Sequence, residues 1–212
     1  MKKDAFTLAE VLITLGIIGV VAALTIPALI ARHNKQIVET RLQKFYSVFN
    51  QAINLANPEY GPMSDWDFPP ESYNADQMSD WYDRYIRPYM KTVSTKKMPN
   101  GALEIYFSDG SYMNIFNHNG TSKILHINFY IHKSKNIVMG KNRFMFIIYA
   151  NRAQTMEPYK PGLAVTMSAE RETLFNDTNY GCDPMINKDN RYCAALIQYE
   201  GWKIPDDYPF RF

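Results

Sequence analysis

The sequence predicts an α+β protein in which one long N-terminal helix packs on a small antiparallel β-sheet. Three observations lead to this prediction. An uncharged, mostly apolar run extends from Val11 to Ala31. Apolar residues at helical spacing follow it, which is typical of a helix with one buried face. Farther along, two short apolar runs flank an Asp-Gly pair, the usual signal of a β-hairpin.

The apolar run has the length of a membrane-spanning helix. Its 21 residues would extend ~31 Å as a helix, about the thickness of the hydrocarbon core of a bilayer. A secretory signal peptide is one interpretation, but the run is long for a signal sequence and no A-x-A cleavage site follows it. A second interpretation is a plain membrane anchor for an unrelated domain. A third interpretation depends on Glu10, because acidic residues in membrane helices usually have a partner.

The stretch AFTLAEVLITLGIIGVVAALTIPALI, residues 5–30, resembles the N-terminus of type IV pilins and of type II secretion pseudopilins. The resemblance implies that a prepilin peptidase cuts between Ala5 and Phe6 and that the new amine of Phe6 is methylated. It also implies that Glu10 acts in assembly and that Pro27 is the helix-breaking proline of this segment. Ala5 departs from the family, which more often has Gly there, although its side chain is also small.

Charge gives Glu10 a physical role in such an assembly. Cleavage would leave a positive amine on Phe6, and methylation keeps that charge. The amine can pair with Glu10 of the same helix at i, i+4 spacing, or with Glu10 of a neighbouring subunit. Because an unpaired carboxylate is costly in low dielectric, the second pairing would set the register between subunits. The alternative is a carboxylate that simply lies among lipid headgroups.

The long helix should have two halves. Pro27 lacks a backbone donor and crowds the carbonyl of Ala23, which predicts a kink. Beyond it, Arg32, Lys35, Glu39, Arg41 and Lys44 occupy much of one face. The opposite apolar stripe consists of Val38, Leu42, Phe45, Phe49 and Ala52. A stop is expected at Asn57-Pro58, because proline disfavours the helical conformation of the preceding residue.

The rest of the chain predicts a small head. Residues 58–72 are rich in proline and form a loop, and residues 76–90 form a short helix that ends or bends at Pro88. Up to four antiparallel strands are expected, at Leu103–Phe107, Tyr112–Phe116, Ile124–Ile131 and Phe144–Tyr149. The first two flank Ser108-Asp109-Gly110-Ser111, a hairpin turn.

Charge is unevenly distributed in this head. Residues 57–83 contain seven acidic and no basic residues, whereas residues 110–156 contain six basic and no acidic residues. The segments can be two solvated faces, or they can pack against each other between subunits. A third interpretation is a basic patch for DNA, with Tyr112, Phe129, Tyr130 and Phe144 for stacking. Nucleic acid is not favoured, since the acidic segment lowers any overall positive field.

Enzyme and cofactor signals are weak. Catalytic and nucleotide-binding motifs are absent from the sequence. His126 and His132 would lie ~20 Å apart on a straight strand, too far to share a zinc ion. Asp183, Asn187 and Asp189 offer oxygen ligands without the spacing of a calcium loop. The sequence therefore predicts no enzyme, no cofactor and no metal site.

Cys182 and Cys193 are separated by ten residues near the C-terminus. A disulfide between them would close a small loop in an oxidising compartment, and two free thiols are the alternative. The disulfide is favoured because the membrane segment implies export. Many pilins also close a C-terminal loop in this way.

These observations predict a leader at residues 1–5, a transmembrane and assembly helix at 6–31, an amphipathic continuation at 32–57 and a head at 58–212. The function they favour is a structural subunit of a type IV pilus or a pseudopilus. Its expected partners are a prepilin peptidase, copies of itself or sister pilins, an inner-membrane assembly platform, and lipid before assembly. The head would lie outside the cytoplasm. The rival prediction is a single-pass envelope enzyme or binding protein unrelated to filaments.

Overall fold

The structure is a computed structural model that describes residues 7–120, 122–160 and 169–212. Its helices are α1 (Leu8–Tyr60), α2 (Ala75–Tyr85), α3 (Arg171–Asn176) and α4 (Cys193–Tyr199), with 3-10 turns at Met63–Asp65 and Arg87–Tyr89. Its strands are β1 (Ser94–Lys97), β2 (Leu103–Tyr106), β3 (Tyr112–Asn117), β4 (Ile124–Tyr130), β5 (Arg143–Tyr149) and β6 (Met156–Pro158). The chain therefore has the predicted α+β class, with a long N-terminal helix and an antiparallel sheet.

The chain divides into two compact units, one up to Ile37 and one from Val38 to Arg211. In the first unit the large apolar side chains from Leu8 to Ile30 are exposed around the whole helix, from 42% at Val11 to 79% at Leu8. Among the described residues, α1 is long and apolar enough to cross a membrane. A helix that is apolar on every side is stable only in apolar surroundings, such as lipid or other helices.

The end of α1 differs from the sequence prediction. The helix passes through Pro58 and ends at Tyr60, so the predicted stop at Asn57-Pro58 was too early. A proline in the last turn removes only one helical hydrogen bond, whereas Gly61 adopts a left-handed φ of +75° and donates its N–H to the carbonyl of Asn57 (2.9 Å). A glycine in this conformation is the common C-terminal cap of a helix. Pro27 lies inside the same helix, and a kink there stays a prediction.

The six strands found in the described residues form one sheet in the order β1-β2-β3-β4-β5-β6, with every neighbouring pair antiparallel. The predicted hairpin is confirmed, since Tyr106 pairs with Tyr112 and Gly110 has a φ of +81°. The estimate of up to four strands was wrong, because β1 and β6 were missed. These edge strands are short, and β1 is polar and β6 contains a proline, so neither shows the apolar alternation that reveals a strand.

The segment predicted as one short helix, residues 76–90, contains two separate helical elements. α2 ends at Tyr85, and Pro88 lies in the separate 3-10 turn Arg87–Tyr89. Asn74 caps the start of α2, where its side chain accepts hydrogen bonds from the N–H groups of Asp76 and Gln77. The helix is therefore stopped before the proline rather than bent by it, as expected from the missing proline N–H.

The core of the second unit lies between α1 and the sheet. The five residues of the predicted apolar stripe are all buried. Phe45 stacks on Phe129 of β4 with 4.3 Å between the ring centres, and it meets the edge of Phe146 of β5 at 5.1 Å. Burial of such side chains contributes roughly 1.5–3 kcal/mol each. The stripe therefore holds α1 on strands β4 and β5 of the sheet.

Glu39 has a different position from the one predicted. The sequence placed it on a polar face, but it is only 7% exposed. One carboxylate oxygen accepts the N–H of Ile204 (2.9 Å), and the other accepts Nζ of Lys203 (3.0 Å). The acidic group is stable there because it ties α1 to the C-terminal tail and satisfies a buried backbone donor.

Two further polar side chains of α1 bind backbone groups of the strands or of their connections. Arg41 donates to the carbonyls of Ile131 and Asp109. Asn50 donates to the carbonyl of Met156 (3.0 Å) and accepts the N–H of the same residue (2.7 Å). The amide of Asn50 thereby pairs with the backbone of the edge strand β6 as another strand would. Edge strands are commonly protected by such a cover.

The C-terminal segment carries the disulfide between Cys182 and Cys193, and both residues are buried. Gly140 lies against it, since a β-carbon at that position would come 2.5 Å from the sulfur of Cys193. The φ of Gly140 is +84°, a conformation that also favours glycine. The β4–β5 connection and the disulfide loop are thus packed closely together.

Replacing Glu39 should destabilise the head. In Glu39→Ala the N–H of Ile204 loses its acceptor, and we expect a loss of about 1–3 kcal/mol in the free energy of unfolding. Glu39→Gln is the matched control, because it keeps an acceptor for that N–H and should lose clearly less. Denaturant unfolding of the full chain in detergent, followed by near-ultraviolet circular dichroism, measures both. Equal stability of the alanine variant and the wild type would contradict the role of Glu39.

Removing the disulfide should also reduce stability. The double variant Cys182→Ser/Cys193→Ser lets the unfolded chain sample more conformations, and we expect a loss of ~3 kcal/mol relative to the oxidised protein. Reduction of the wild type should give a similar loss, which separates the covalent bond from an effect of the serine side chains. The same unfolding measurement tests this prediction, and an unchanged midpoint after verified reduction would refute it.

Candidate processing and assembly site

The described part of the N-terminal motif begins with a capping box at the start of α1. Thr7 precedes the first helical residue, Leu8, and Glu10 is the third residue of the helix. Oε2 of Glu10 accepts the backbone N–H of Thr7 (2.8 Å) and its hydroxyl (2.8 Å). The hydroxyl oxygen of Thr7 in turn accepts the N–H of Glu10 (3.3 Å). This reciprocal pattern satisfies donors that the first turn of a helix cannot pair internally.

The capping box gives Glu10 a second role that the sequence analysis missed. The pattern Thr-x-x-Glu at residues 7–10 was the available signal. Both bonds from Thr7 end on the same carboxylate oxygen. A carboxylate has about four acceptor positions on its two oxygens. Glu10 can therefore keep its cap and still accept a further donor, such as an ammonium group.

The structure places the remaining predicted site residues in different parts of the chain. Ala5 and Phe6 lie outside the described residues. Glu10 and Pro27 lie on α1 in the first unit, and the disulfide lies in the second unit. The sequence prediction of cleavage and methylation at Ala5 and Phe6 thus remains a prediction.

The apolar half of α1 satisfies its own polar side chains. The hydroxyl of Thr14 donates to the carbonyls of Glu10 (2.9 Å) and Val11 (2.9 Å). The hydroxyl of Thr25 donates to the carbonyl of Val21 (2.9 Å). Hydroxyl groups that bond within the helix cause little penalty in an apolar environment. In the described part of this segment, Glu10 is the one ionisable side chain.

The acidic segment of the head is partly neutralised by the residues that follow it. Three of its carboxylates form ion pairs with cationic side chains between residues 84 and 97: Asp67 with Arg84 (3.1 Å), Asp76 with Lys97 (2.6 Å) and Asp83 with Arg87 (3.0 Å). The basic segment reaches it through Lys123, which donates to the carbonyls of Ser64 and Trp66. These contacts within one chain reduce the charge available for pairing between subunits.

The aromatic side chains considered for DNA binding are not available for stacking on bases. Phe129 and Phe144 are buried in the core, and Tyr112 and Tyr130 are almost buried. The two tyrosine rings stack on each other with 4.4 Å between their centres. Single-stranded nucleic acid is usually bound by exposed aromatic rings, so the structure does not favour this interpretation.

The histidines do not form a metal site in the described residues. The ring of His126 lies 5.9 Å from that of His118. Burial, together with the nearby His118 and Arg191, lowers the pKa of His126 to about 4. Across residues 7–120, 122–160 and 169–212, no group of three or more His, Cys, Asp or Glu side chains could hold a metal ion.

Comparison with known proteins places the chain in a family. Residues 28–212 match a family of unknown function, DUF6613. The chain belongs to this family. Residues 1–26 match the prokaryotic N-terminal methylation motif, the signature of type IV pilins and pseudopilins. Searches of curated proteins and of solved structures found no match.

The two matches cover different parts of this DUF6613 chain. The methylation motif covers the capping box and most of the apolar run, whereas the family match covers the head. The motif, together with a helix apolar enough to span a membrane, identifies the chain as a pilin-like precursor. The resemblance inferred from the N-terminal residues is therefore confirmed.

Three variants separate the two roles of Glu10. Glu10→Gln keeps an acceptor for Thr7 but removes the charge, Glu10→Ala removes both, and Thr7→Ala removes the hydroxyl part of the cap. If the charge pairs with an amine in a filament, both Glu10 variants should lower filament yield roughly tenfold or more, since bonds to charged groups contribute about 1.5–3 kcal/mol. Thr7→Ala should have a much smaller effect.

The readout is the ratio of filament-bound to membrane-bound protein in cells that assemble the filament, with equal expression checked for each variant. Normal assembly of Glu10→Gln together with poor assembly of Thr7→Ala would show that capping alone matters. That outcome would contradict the charge-pairing role.

Proposed function

We propose that this protein is a structural subunit of a type IV pilus or of a type II secretion pseudopilus. A prepilin peptidase cuts between Ala5 and Phe6, and the new amine of Phe6 is methylated. The mature chain then assembles through the apolar half of α1. The observation that carries this proposal is the match of residues 1–26 to the methylation motif, on the half of α1 whose large apolar side chains are exposed on all sides.

The exposed half of α1 requires a partner in every state of the protein. Lipid covers the helix before assembly, and the helices of other copies or sister pilins replace lipid in the filament. Because lipid tails and neighbouring helices are similarly apolar, this exchange needs a specific polar interaction to define the register. In the proposed filament, Glu10 of one subunit binds the amine of Phe6 of the next, which is a pairing that lipid cannot supply.

The proposed topology has the head outside the cytoplasm, with the precursor in the inner membrane beside an assembly platform. The disulfide between Cys182 and Cys193 supports this side of the membrane, since disulfides persist in oxidising compartments and are rare in the cytosol. The proposed organisation keeps a leader at residues 1–5 and an assembly helix from Phe6. It extends the second half of the helix to Tyr60 and begins the head connections at Gly61.

The proposed role is mechanical rather than catalytic. Its support is the pilin-like motif, together with the charge pairs and buried aromatic rings of the head, which serve packing. The competing assignment is a single-pass envelope enzyme or binding protein that keeps its first five residues. The two assignments differ at the mature N-terminus, which makes that terminus the decisive observation.

Mass spectrometry of the intact chain tests the proposal. Protein from membranes and filaments of cells that contain a prepilin peptidase should begin at Phe6 and carry one methyl group on its amine. Protein from the same cells without the peptidase is the control and should begin at the precursor N-terminus. Filaments that contain the precursor with residues 1–5 attached would refute the proposed function, as would a processed chain that never enters a filament.

A further inference from the structure

We propose that the connection between β4 and β5, residues 131–142, binds the surface of an anionic membrane. This basal loop displays three lysines, Lys133, Lys135 and Lys141, and two exposed apolar side chains, Ile137 (46% exposed) and Val138 (39%). No acidic residue occurs between Gly110 and Met156. Lysines around an exposed aliphatic pair are suited to anionic headgroups above the acyl chains.

The exposure of the aliphatic pair is built into an ordered loop. The N–H of Val138 donates to Oδ1 of Asn142 (2.8 Å), and Nδ2 of Asn142 donates to the carbonyl of Asn136 (2.8 Å). Behind the pair, the hydroxyl of Tyr208 donates to the carbonyl of Gly140 (2.5 Å), and both Gly140 and Met139 are buried. The loop is therefore fixed on the side of the head and open on the side of the aliphatic pair.

The position of the basal loop within the second unit follows from the contacts at the two ends of β4. At its start, Lys123 binds the carbonyls of Ser64 and Trp66, which lie just beyond the C-terminal end of α1. At its end, the carbonyl of Ile131 accepts a hydrogen bond from Arg41, near the start of the second unit. β4 thus runs towards the end of the head at which α1 enters it, and the basal loop continues from there.

The covalent chain limits the distance between Arg41 and the apolar run. Arg41 lies ten positions after Ala31, the last residue of that run. A chain of ten residues spans at most ~36 Å even when fully extended. If lipid surrounds the apolar run, as proposed for the unassembled subunit, the lysines of the basal loop are therefore held at a high local concentration near headgroups.

Three acidic side chains at this end of the head are already paired within the chain. Glu39 binds Lys203, Asp109 binds Lys44 (3.1 Å), and Asp207 binds Arg171 (2.7 Å). Within the described residues, the three lysines of the basal loop form no ion pair. Lysine side chains near an anionic lipid surface are attracted to it. The positive charge of the loop is thus available to a partner outside the chain.

A lipid surface fits this loop better than the acidic segment of a neighbouring subunit. Three carboxylates of that segment are paired with arginine or lysine of their own chain. The apolar pair at the loop surface also needs a partner that supplies both negative charge and an apolar layer, and an anionic bilayer supplies both. The contact would steady the head of a membrane-bound subunit and would be lost when the subunit leaves lipid for a filament.

Lysine footprinting of the full chain tests the contact. The protein is placed in nanodiscs of phosphatidylcholine alone or with phosphatidylglycerol, and an amine-acylating reagent is followed by mass spectrometry. Acylation of Lys133, Lys135 and Lys141 should slow several-fold in the anionic discs. Lys96 and Lys188, which are exposed and lie outside the basal loop, are internal controls and should react equally in both. If each of the five lysines reacts at the same rate in both kinds of nanodisc, the proposal is overturned.

A variant of the apolar pair makes the test independent of charge. Ile137→Ser/Val138→Ser should remove most of the protection, and Lys96→Gln should leave it intact, while near-ultraviolet circular dichroism confirms folding of both. Protection that appears equally without anionic lipid and grows with the number of copies per disc would indicate a neighbouring subunit and refute the lipid contact. The inference rests on membrane anchoring, not on filament formation. If the N-terminus is unprocessed but the loop is protected, the proposed filament role is refuted and the lipid contact is not.

Discussion

One helix has to be stable in two different environments, and the rest of the molecule follows from that constraint. A helix satisfies its backbone groups internally, so α1 can pass from an apolar medium into a folded head without exposing unpaired donors. Only the character of its side chains must change between the two halves of the helix. They are apolar on every side as far as Ala31, and from Val38 they form a single buried stripe. The stack of Phe45 on Phe129 then fixes the second half of the helix to the centre of the sheet.

The parts that the sequence predicted are those in which periodicity or turn chemistry leaves few choices. An uncharged run long enough to cross a bilayer permits few other structures. Apolar spacing identified five residues of α1 that the structure buries. The Asp109-Gly110 turn located its hairpin because Gly110 tolerates a positive φ. The N-terminal motif was recognised for the same reason, since a charge, an aromatic start and an apolar run must all coincide there.

The parts that the sequence did not predict depend on contacts between distant residues. Strands β1 and β6 are defined by their neighbours, not by their own alternation, and Asn50 helps to hold β6 from 106 positions away. Glu39 fits the polar side of a helix in any periodicity analysis, yet the C-terminal tail covers it. The end of α1 was placed too early because a rule for the residue before proline was applied without the glycine cap that follows.

The capping box connects the local structure of the helix with the proposed assembly. The two hydrogen bonds from Thr7 hold the carboxylate of Glu10 in one orientation before any partner arrives. A group that is already ordered loses less conformational entropy on binding than a free side chain does. In the proposed filament, the amine of a neighbour would thus meet an oriented acceptor with free capacity. A glutamine at this position can preserve the orientation but not the charge, so orientation and attraction are separable properties of the same residue.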